Sequence, residues 1–307
     1  MRLLLTLCLF LLPLQAADFP WSDTAPADVA AASLQPDAVL DELPCEWRPV
    51  LTPIVEPLVL DCNSAREAVL RIASTLSRTT GVYYSPERRK HNMNALEALS
   101  EKKVSCTGQS ILLVCALRSV GIPARAVGVA TWNHIRGNHT WAEAWFDGSW
   151  HMIEFNESDF NTPWVMENIG MLNTRIPIQR LKAATPLGND TWAQDSPHFT
   201  RSPAIDVTER YCQLALNWYQ QNGLPANLQR LLVDTSPRPL TAHTIELIDT
   251  TGNVICSAKL PTLADDMRYM ARLALPRSGT FFLRIQGNKK QFPISSTESA
   301  VQLLLLH

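Results

Sequence analysis

Residues 102–125, KKVSCTGQSILLVCALRSVGIPAR, place the tightest constraint on how this chain can fold. From Ile111 to Leu117 every residue is apolar. A helix with no polar face has no side to offer water, so it must lie inside a core with other elements around it. Gly121 supplies a stop and Pro123 prevents the helix from resuming. Cys106 sits at the head of this helix, between Ser105 and Thr107. Unpaired backbone N–H groups and the positive end of the helix dipole gather there, a place that favours a thiolate. A cysteine so placed is either a nucleophile or one more core or disulfide cysteine.

The flanking sequence supplies the elements that would cover the helix. In SAREAVLRIASTLSRTTG the apolar residues Ala65, Val69, Ile72 and Leu76 recur near helical spacing, with Gly81 as a stop. NMNALEALSEKK reads as a second, short helix capped by Asn92 or Asn94. ARAVGVATW reads as a strand, and HTWAEAWFDGSWHMIEFN as a hairpin turning at Asp147-Gly148. Residues 18–60 are rich in Pro, Ala and Asp and read as short helices and extended linker rather than a packed unit. Beyond residue 200, VTERYCQLALNWYQQNG is a helix ending at Gly223. HTIELIDTTGNVICSAKL and ARLALPRSGTFFLRIQG then alternate as strands, which predicts a small β-sandwich. That sandwich carries no constellation of catalytic residue types and reads as a packing or binding module.

Charge and compartment narrow the function. A net charge of −2 and a pI near 6.4 give no basic footprint for nucleic acid. Arg2, the apolar run Leu3–Leu14 and Gln15-Ala16-Ala17 fit a secretory signal peptide, residues 1–17, too short to span a bilayer. The expectation is a secreted or periplasmic protein with no stable membrane insertion after cleavage. Six cysteines follow the signal, at 45, 62, 106, 115, 212 and 256, and export permits disulfides. Cys45 and Cys62 flank the Pro-rich segment and are the preferred pair. Cys115, inside the apolar helix, is the natural unpaired companion of a free Cys106. His134, His151 and Cys106 lack the close spacing of a zinc site, and no EF-hand spacing appears, so neither metal nor cofactor is expected.

Nucleophilic cysteine chemistry needs a thiolate, a base that reaches it, and a group that orients the base. His139 opens the first strand of the hairpin, where His139, Trp141, Glu143 and Trp145 share a face. With Asp147-Gly148 as a two-residue turn, Phe146 pairs with Ser149 and Trp145 with Trp150. Counted back, Trp141 faces Glu154 and His139 faces Asn156. Glu154 is then the diagonal neighbour of His139 and Asn156 its direct neighbour, while Glu157 falls on the other face unless a bulge intervenes. Glu143, an acid among tryptophans, reads as structural, either hydrogen-bonded or near the rim. Trp132, Trp141, Trp145 and Trp150 read as core, with Trp132 a candidate to line a cleft.

SCTGQSILLVCALRSVGIPAR followed by GNHTWAEAWFDGSWHMIEF resembles the transglutaminase-like superfamily, which shares the papain-type Cys-His-Asp arrangement. The matching features are the Cys-to-Gly-Ile-Pro spacing, Arg125, the His-x-Trp-x-Glu-x-Trp strand and the following Gly-x-Trp. They run from about Asn94 to Asn156. The resemblance implies an α+β fold, helices packed on an antiparallel sheet, with Cys106 as nucleophile and His139 as general base and acid. The third member departs from the pattern. The family usually has Asp four residues after the second-strand Trp, where this chain has Glu154. Asn156, then Glu157, are the fallbacks. The implied division is a signal peptide (1–17), a Pro-rich segment (18–63), a transglutaminase-like domain (64–200), a helical connector (201–225) and the sandwich (226–307). The implied reaction is acyl transfer from a protein or peptide amide, with hydrolysis favoured over transfer to an amine. The rival is a catalytically idle domain that binds protein or glycan.

Overall fold

The computed structural model describes residues 19–132, 137–170, 172, 177–191, 202–222, 228–234, 243–260, 270–276, 278–286, 291–295 and 301–305. The signal-peptide stretch, His134 and Gly223 lie outside them. Described helices are α1 (Ala27–Ser33), α2 (Arg48–Val59), α3 (Ala65–Thr80), α4 (Ala95–Glu101), α5 (Cys106–Ser119), α6 (Pro163–Ile169) and α7 (Thr208–Gln221). Strands β1 (Tyr83–Tyr84) and β2 (Lys103–Val104) form a small parallel pair. A six-stranded antiparallel sheet follows the order β5-β4-β3-β6-β8-β7. Its strands are β3 (Ala124–Val129), β4 (His139–Phe146), β5 (Ser149–Ile153), β6 (Lys182–Ala184), β7 (Asp190–Thr191) and β8 (Pro203–Asp206).

The apolar helix is α5, and it is buried as its composition demands, from Thr107 and Gly108 through Ser110–Ser119. It lies between α2, α3 and α4 and one face of the sheet. That face is built from small residues: Ala124 pairs with Ala144 and Ala126 with Ala142. Short side chains there leave room for the helix to lie close on the strands. The opposite face carries Val127, Val129, Trp141 and Met152 in a second core with α6 and α7. Residues 201–225, expected as a connector, thus supply β8 to the sheet and α7 to its second face.

The Pro-rich segment departs from the sequence reading. Residues 48–59 form a helix despite Pro53 and Pro57 in its interior. Each interior proline costs a helix about 3 kcal/mol. Leu51, Val55 and Val59 recur every four residues and are fully buried in the α5 core, each worth about 1.5–3 kcal/mol. Pro49, Pro53 and Pro57 follow the same four-residue period on the exposed face, where water can satisfy the carbonyls that lose a partner. The segment is therefore part of the core, not linker. The expected Cys45–Cys62 disulfide also fails: both are free thiols. A twelve-residue helix lies between them, about 18 Å of rise, whereas a disulfide holds Cα atoms about 4–7 Å apart.

Arg118, near the end of α5, fastens this segment. Its Nε donates to the carbonyls of Ser33 (2.9 Å) and Ala124 (3.0 Å), and its Nη1 to those of Pro36 (2.8 Å) and Ala38 (3.2 Å). Trp21 Nε1 adds a bond to Val120 O at 2.8 Å.

The hairpin keeps the expected register near its turn: Phe146 pairs with Ser149 and Trp145 with Trp150. Asp147 (φ 50°) and Gly148 (φ 72°) both have the positive φ that a two-residue hairpin turn requires. The ladder ends at Ala142–Ile153, so the expected Trp141–Glu154 and His139–Asn156 pairs do not form. At Asn156 the backbone turns to φ 68° and its N–H donates to Ala73 O at 2.9 Å, which draws the chain away from β4.

The C-terminal part places β10 (Thr244–Asp249), β11 (Val254–Lys259), β13 (Thr280–Ile285) and β14 (Gln291–Ser295) in one sheet, ordered β11-β10-β13-β14. A second sheet, β12-β9-β15, is formed by β9 (Leu228–Asp234), β12 (Met270–Pro276) and β15 (Val301–Leu305). Leu231, Leu273 and Leu275 of one sheet share a buried cluster with Leu247, Leu283 and Ile294 of the other, as a β-sandwich requires.

Replacing Arg118 by Met should lower unfolding stability by about 3 kcal/mol, because buried carbonyl oxygens lose their donor. Urea denaturation followed by tryptophan fluorescence reads this. Arg118→Lys should recover only part, since an ammonium cannot reproduce the planar fork. A loss below about 0.5 kcal/mol would show that water replaces the guanidinium.

Candidate active site

The site begins at the head of α5. Ser105 is the N-cap: its Oγ accepts the Gly108 N–H at 2.9 Å and donates to His91 O at 2.5 Å. Cys106 follows as the first helical residue and is half-buried. Two contacts stitch this helix end to the start of β4. The Thr107 and Thr140 hydroxyls lie 3.0 Å apart, and Ser110 Oγ lies 2.8 Å from Cys106 O and 2.9 Å from Thr140 O. Cys106 and His139 immediately precede the two stitched threonines, and their side chains hydrogen-bond.

On its other side His139 Nε2 donates to Glu154 Oε1 at 2.5 Å, which leaves Nδ1 for the sulfur. Only 13% of the His139 side chain and 16% of the Glu154 side chain are exposed. Burial pulls the imidazole pKa down. The hydrogen bonds to Cys106 and Glu154, with the charges of both, override it and raise the pKa to about 10. The ring is also walled: Trp164 meets it edge-on at 4.7 Å and Trp141 lies 5.8 Å away. Trp132, buried in the core of the second sheet face, joins this wall through a T-shaped contact with Trp164 at 5.7 Å.

The structure thus brings Cys106, His139 and Glu154 together. It leaves Asn156 and Glu157 apart, both exposed on the turn after β5. Glu154 reaches His139 from just beyond the ladder, on the face the strand pattern gave it.

Glu143 is fully buried and hydrogen-bonded rather than at the rim. Its Oε2 accepts from Arg125 Nε at 3.0 Å and its Oε1 from Arg210 Nη2. Burial pushes this carboxyl up, but Arg125 and then Arg210 hold it below the ordinary carboxylate range. Arg125 also stacks 3.9 Å over Trp150. Tyr211 of α7 accepts from Trp141 Nε1 at 2.6 Å.

Sequence reasoning missed Thr162, whose Oγ1 donates to Glu154 Oε2, and Trp164, Arg210 and Tyr211. The Thr162-Pro163 pair announces a helix start, but nothing local ties it to Glu154. His151 lies elsewhere, stacked on Phe146 at 3.9 Å. Among the described residues no group of three His, Cys, Asp or Glu side chains is gathered to hold a metal. No described helix is long and apolar enough to cross a membrane.

Residues 53–155 match the model of the transglutaminase-like superfamily, the family that the motifs around Cys106 and His139 resemble. The match starts inside α2, consistent with that helix belonging to the core. No curated protein matches the sequence. Among solved structures the chain is similar to a Cytophaga hutchinsonii protein described as a "Putative Cysteine Protease", at 15% identity and a TM-score of 0.38, covering 60% of this chain and 64% of that one. It is also similar to red sea bream transglutaminase, at 12% identity and a TM-score of 0.35, covering 82% of this chain and 59% of that one. The chain spans less than two thirds of the length of either. Likenesses at this level carry no information on reaction or substrate.

The raised His139 pKa sets a pH dependence. The folded state holds a proton that the unfolded chain releases near pH 6.5, up to about pH 10. The stability from the charged ring is therefore full below about pH 6.5 and is lost as pH rises through that window. The stability difference between wild type and His139→Ala should shrink steadily from pH 6.5 to 10 in urea titrations. A constant difference would mean that the ring does not carry the extra proton.

Proposed function

We propose that this chain is an exported, cysteine-dependent acyl-transfer enzyme that hydrolyses peptide or side-chain amides through a thioester. The single observation that carries this reading is the line Cys106–His139–Glu154 at the head of a buried helix. Cys106 Sγ attacks the amide carbonyl, and the first-turn N–H groups of α5 face the oxyanion that forms. His139 gives its proton to the departing nitrogen as the C–N bond breaks, leaving an acyl thioester. Water then attacks, losing a proton to His139, and the C–S bond breaks to release the acid and restore the thiolate beside the protonated ring. Glu154 holds the imidazole and favours its charged form. Hydrolysis is preferred because the motifs resemble the broad bacterial-type core, and the leader-like residues 1–17 support export.

Iodoacetamide should label Cys106 faster than a free thiol at mildly acidic pH, where the other cysteines stay protonated. His139→Ala should slow labelling and lower turnover by a factor on the order of 10²–10⁴. A peptide library incubated with an amine donor and read by mass spectrometry should show cleavage or deamidation. Amine incorporation alone would make the enzyme a cross-linker, and an unreactive Cys106 would overturn the enzymatic reading. Glu154→Gln should reduce turnover more than Glu157→Gln; the reverse order would remove Glu154 from its role.

A further inference from the structure

Thr162 is the N-cap of α6, a position at which a threonine hydroxyl ordinarily accepts the N–H of the second or third helical residue. It makes no such bond here. Its carbonyl takes the Met166 N–H at 3.1 Å to start the helix, while its hydroxyl donates to Glu154 Oε2. Pro163 at the first helical position needs no acceptor and presets φ, which lowers the demand for a cap. Thr162 is 5% exposed, so the bond to the carboxylate is shielded from water.

Each oxygen of Glu154 therefore has its own partner: His139 on Oε1 and Thr162 on Oε2. This bears on the departure from the family pattern. A glutamate has one more rotatable bond than an aspartate, and a carboxylate tied at one oxygen alone is free to swing about its last torsion. A second tie from the opposite side removes that freedom.

We propose that Thr162 is a positioning residue that fixes the carboxylate of Glu154 and thereby adapts the site to a glutamate in the acid position. The proposal rests on reading Cys106 and His139 as the catalytic pair. Thr162 acts through Glu154 on the orientation and charge of His139.

The test uses the full chain and needs no substrate. The imidazole signals of His139 are titrated by NMR, and the Cys106 alkylation rate is measured against pH, in wild type, Thr162→Val and Thr162→Ser. Thr162→Val should lower the His139 pKa and slow alkylation below pH 7 by roughly tenfold, the worth of one hydrogen bond to a charged group. Thr162→Ser, which keeps the hydroxyl, should stay within about twofold of wild type. In a Glu154→Gln background Thr162→Val should have little further effect. An unchanged His139 titration in folded Thr162→Val would overturn the proposal while leaving the catalytic reading intact. Poor alkylation of wild-type Cys106 would instead count against the catalytic reading, with the titration still reporting on Thr162. Should Thr162→Val fail to fold, Glu154→Asp reads the same coupling. The shorter acid cannot keep both partners and should lose roughly tenfold in alkylation rate; activity equal to wild type would show that nothing is positioned.

Discussion

The contact between the head of α5 and the first residues of β4 governs the rest of the site. Thr107 meets Thr140, and Ser110 bridges toward Cys106 O and Thr140 O. These polar groups lie at the one end of the helix where the apolar run has not begun. Below them the packing is alanine against helix, until Arg118 Nε reaches Ala124 O at the far end. Burial of the apolar helix supplies the free energy of docking, and the threonine and serine hydroxyls set its register. A helix docked one residue deeper or shallower would carry its sulfur away from the imidazole. Both features, all-round apolar character and a polar head, belong to the same fourteen-residue helix.

That division explains what was legible in the sequence. The buried helix, its cap and its stop follow from local rules, since a helix without a polar face has one place to go. The hairpin turn followed from Asp147-Gly148, and from it the face shared by His139, Trp141 and Glu143. Glu154 was legible as a neighbour of His139 because cross-strand counting ends only one residue short of it. The longer arm of glutamate covers that residue. Thr162, Arg210 and Tyr211 were not legible. Their contacts join segments across loops whose path is decided by tertiary packing, and no periodicity encodes where such a loop returns.

The Pro-rich helix shows the opposite failure, in which a strong local rule gave the wrong answer. Interior prolines argue against a packed helix, and composition alone reads residues 18–60 as short helices and extended linker rather than a packed unit. Their four-residue period was the overlooked signal. Prolines that repeat in step with Leu51, Val55 and Val59 keep every broken hydrogen bond on the wet side, while the dry side stays intact. The chain can then keep both its burial and its prolines. In the folded state Arg118 adds a second hold, because the carbonyls left by the irregular backbone at 33–38 are gathered on one guanidinium. The N-terminal segment so fastened packs on the back of the helix that carries Cys106.

The second face of the sheet carries two carboxylates with different fates. Glu143 and His139 lie on the same face of β4, four residues apart, about 13 Å along a strand. Left uncompensated at zero exposure, Glu143 would protonate or add its field to that of Glu154. Two guanidiniums, from β3 and α7, neutralise it in place. The oxygens of Glu154 go instead to an imidazole and a hydroxyl. A carboxylate bonded to a guanidinium has spent its negative charge, whereas one bonded to a neutral hydroxyl and a titratable ring keeps that charge available to the ring. The same residue type, once inside β4 and once just beyond the end of β5, thereby serves packing in one case and the protonation of His139 in the other.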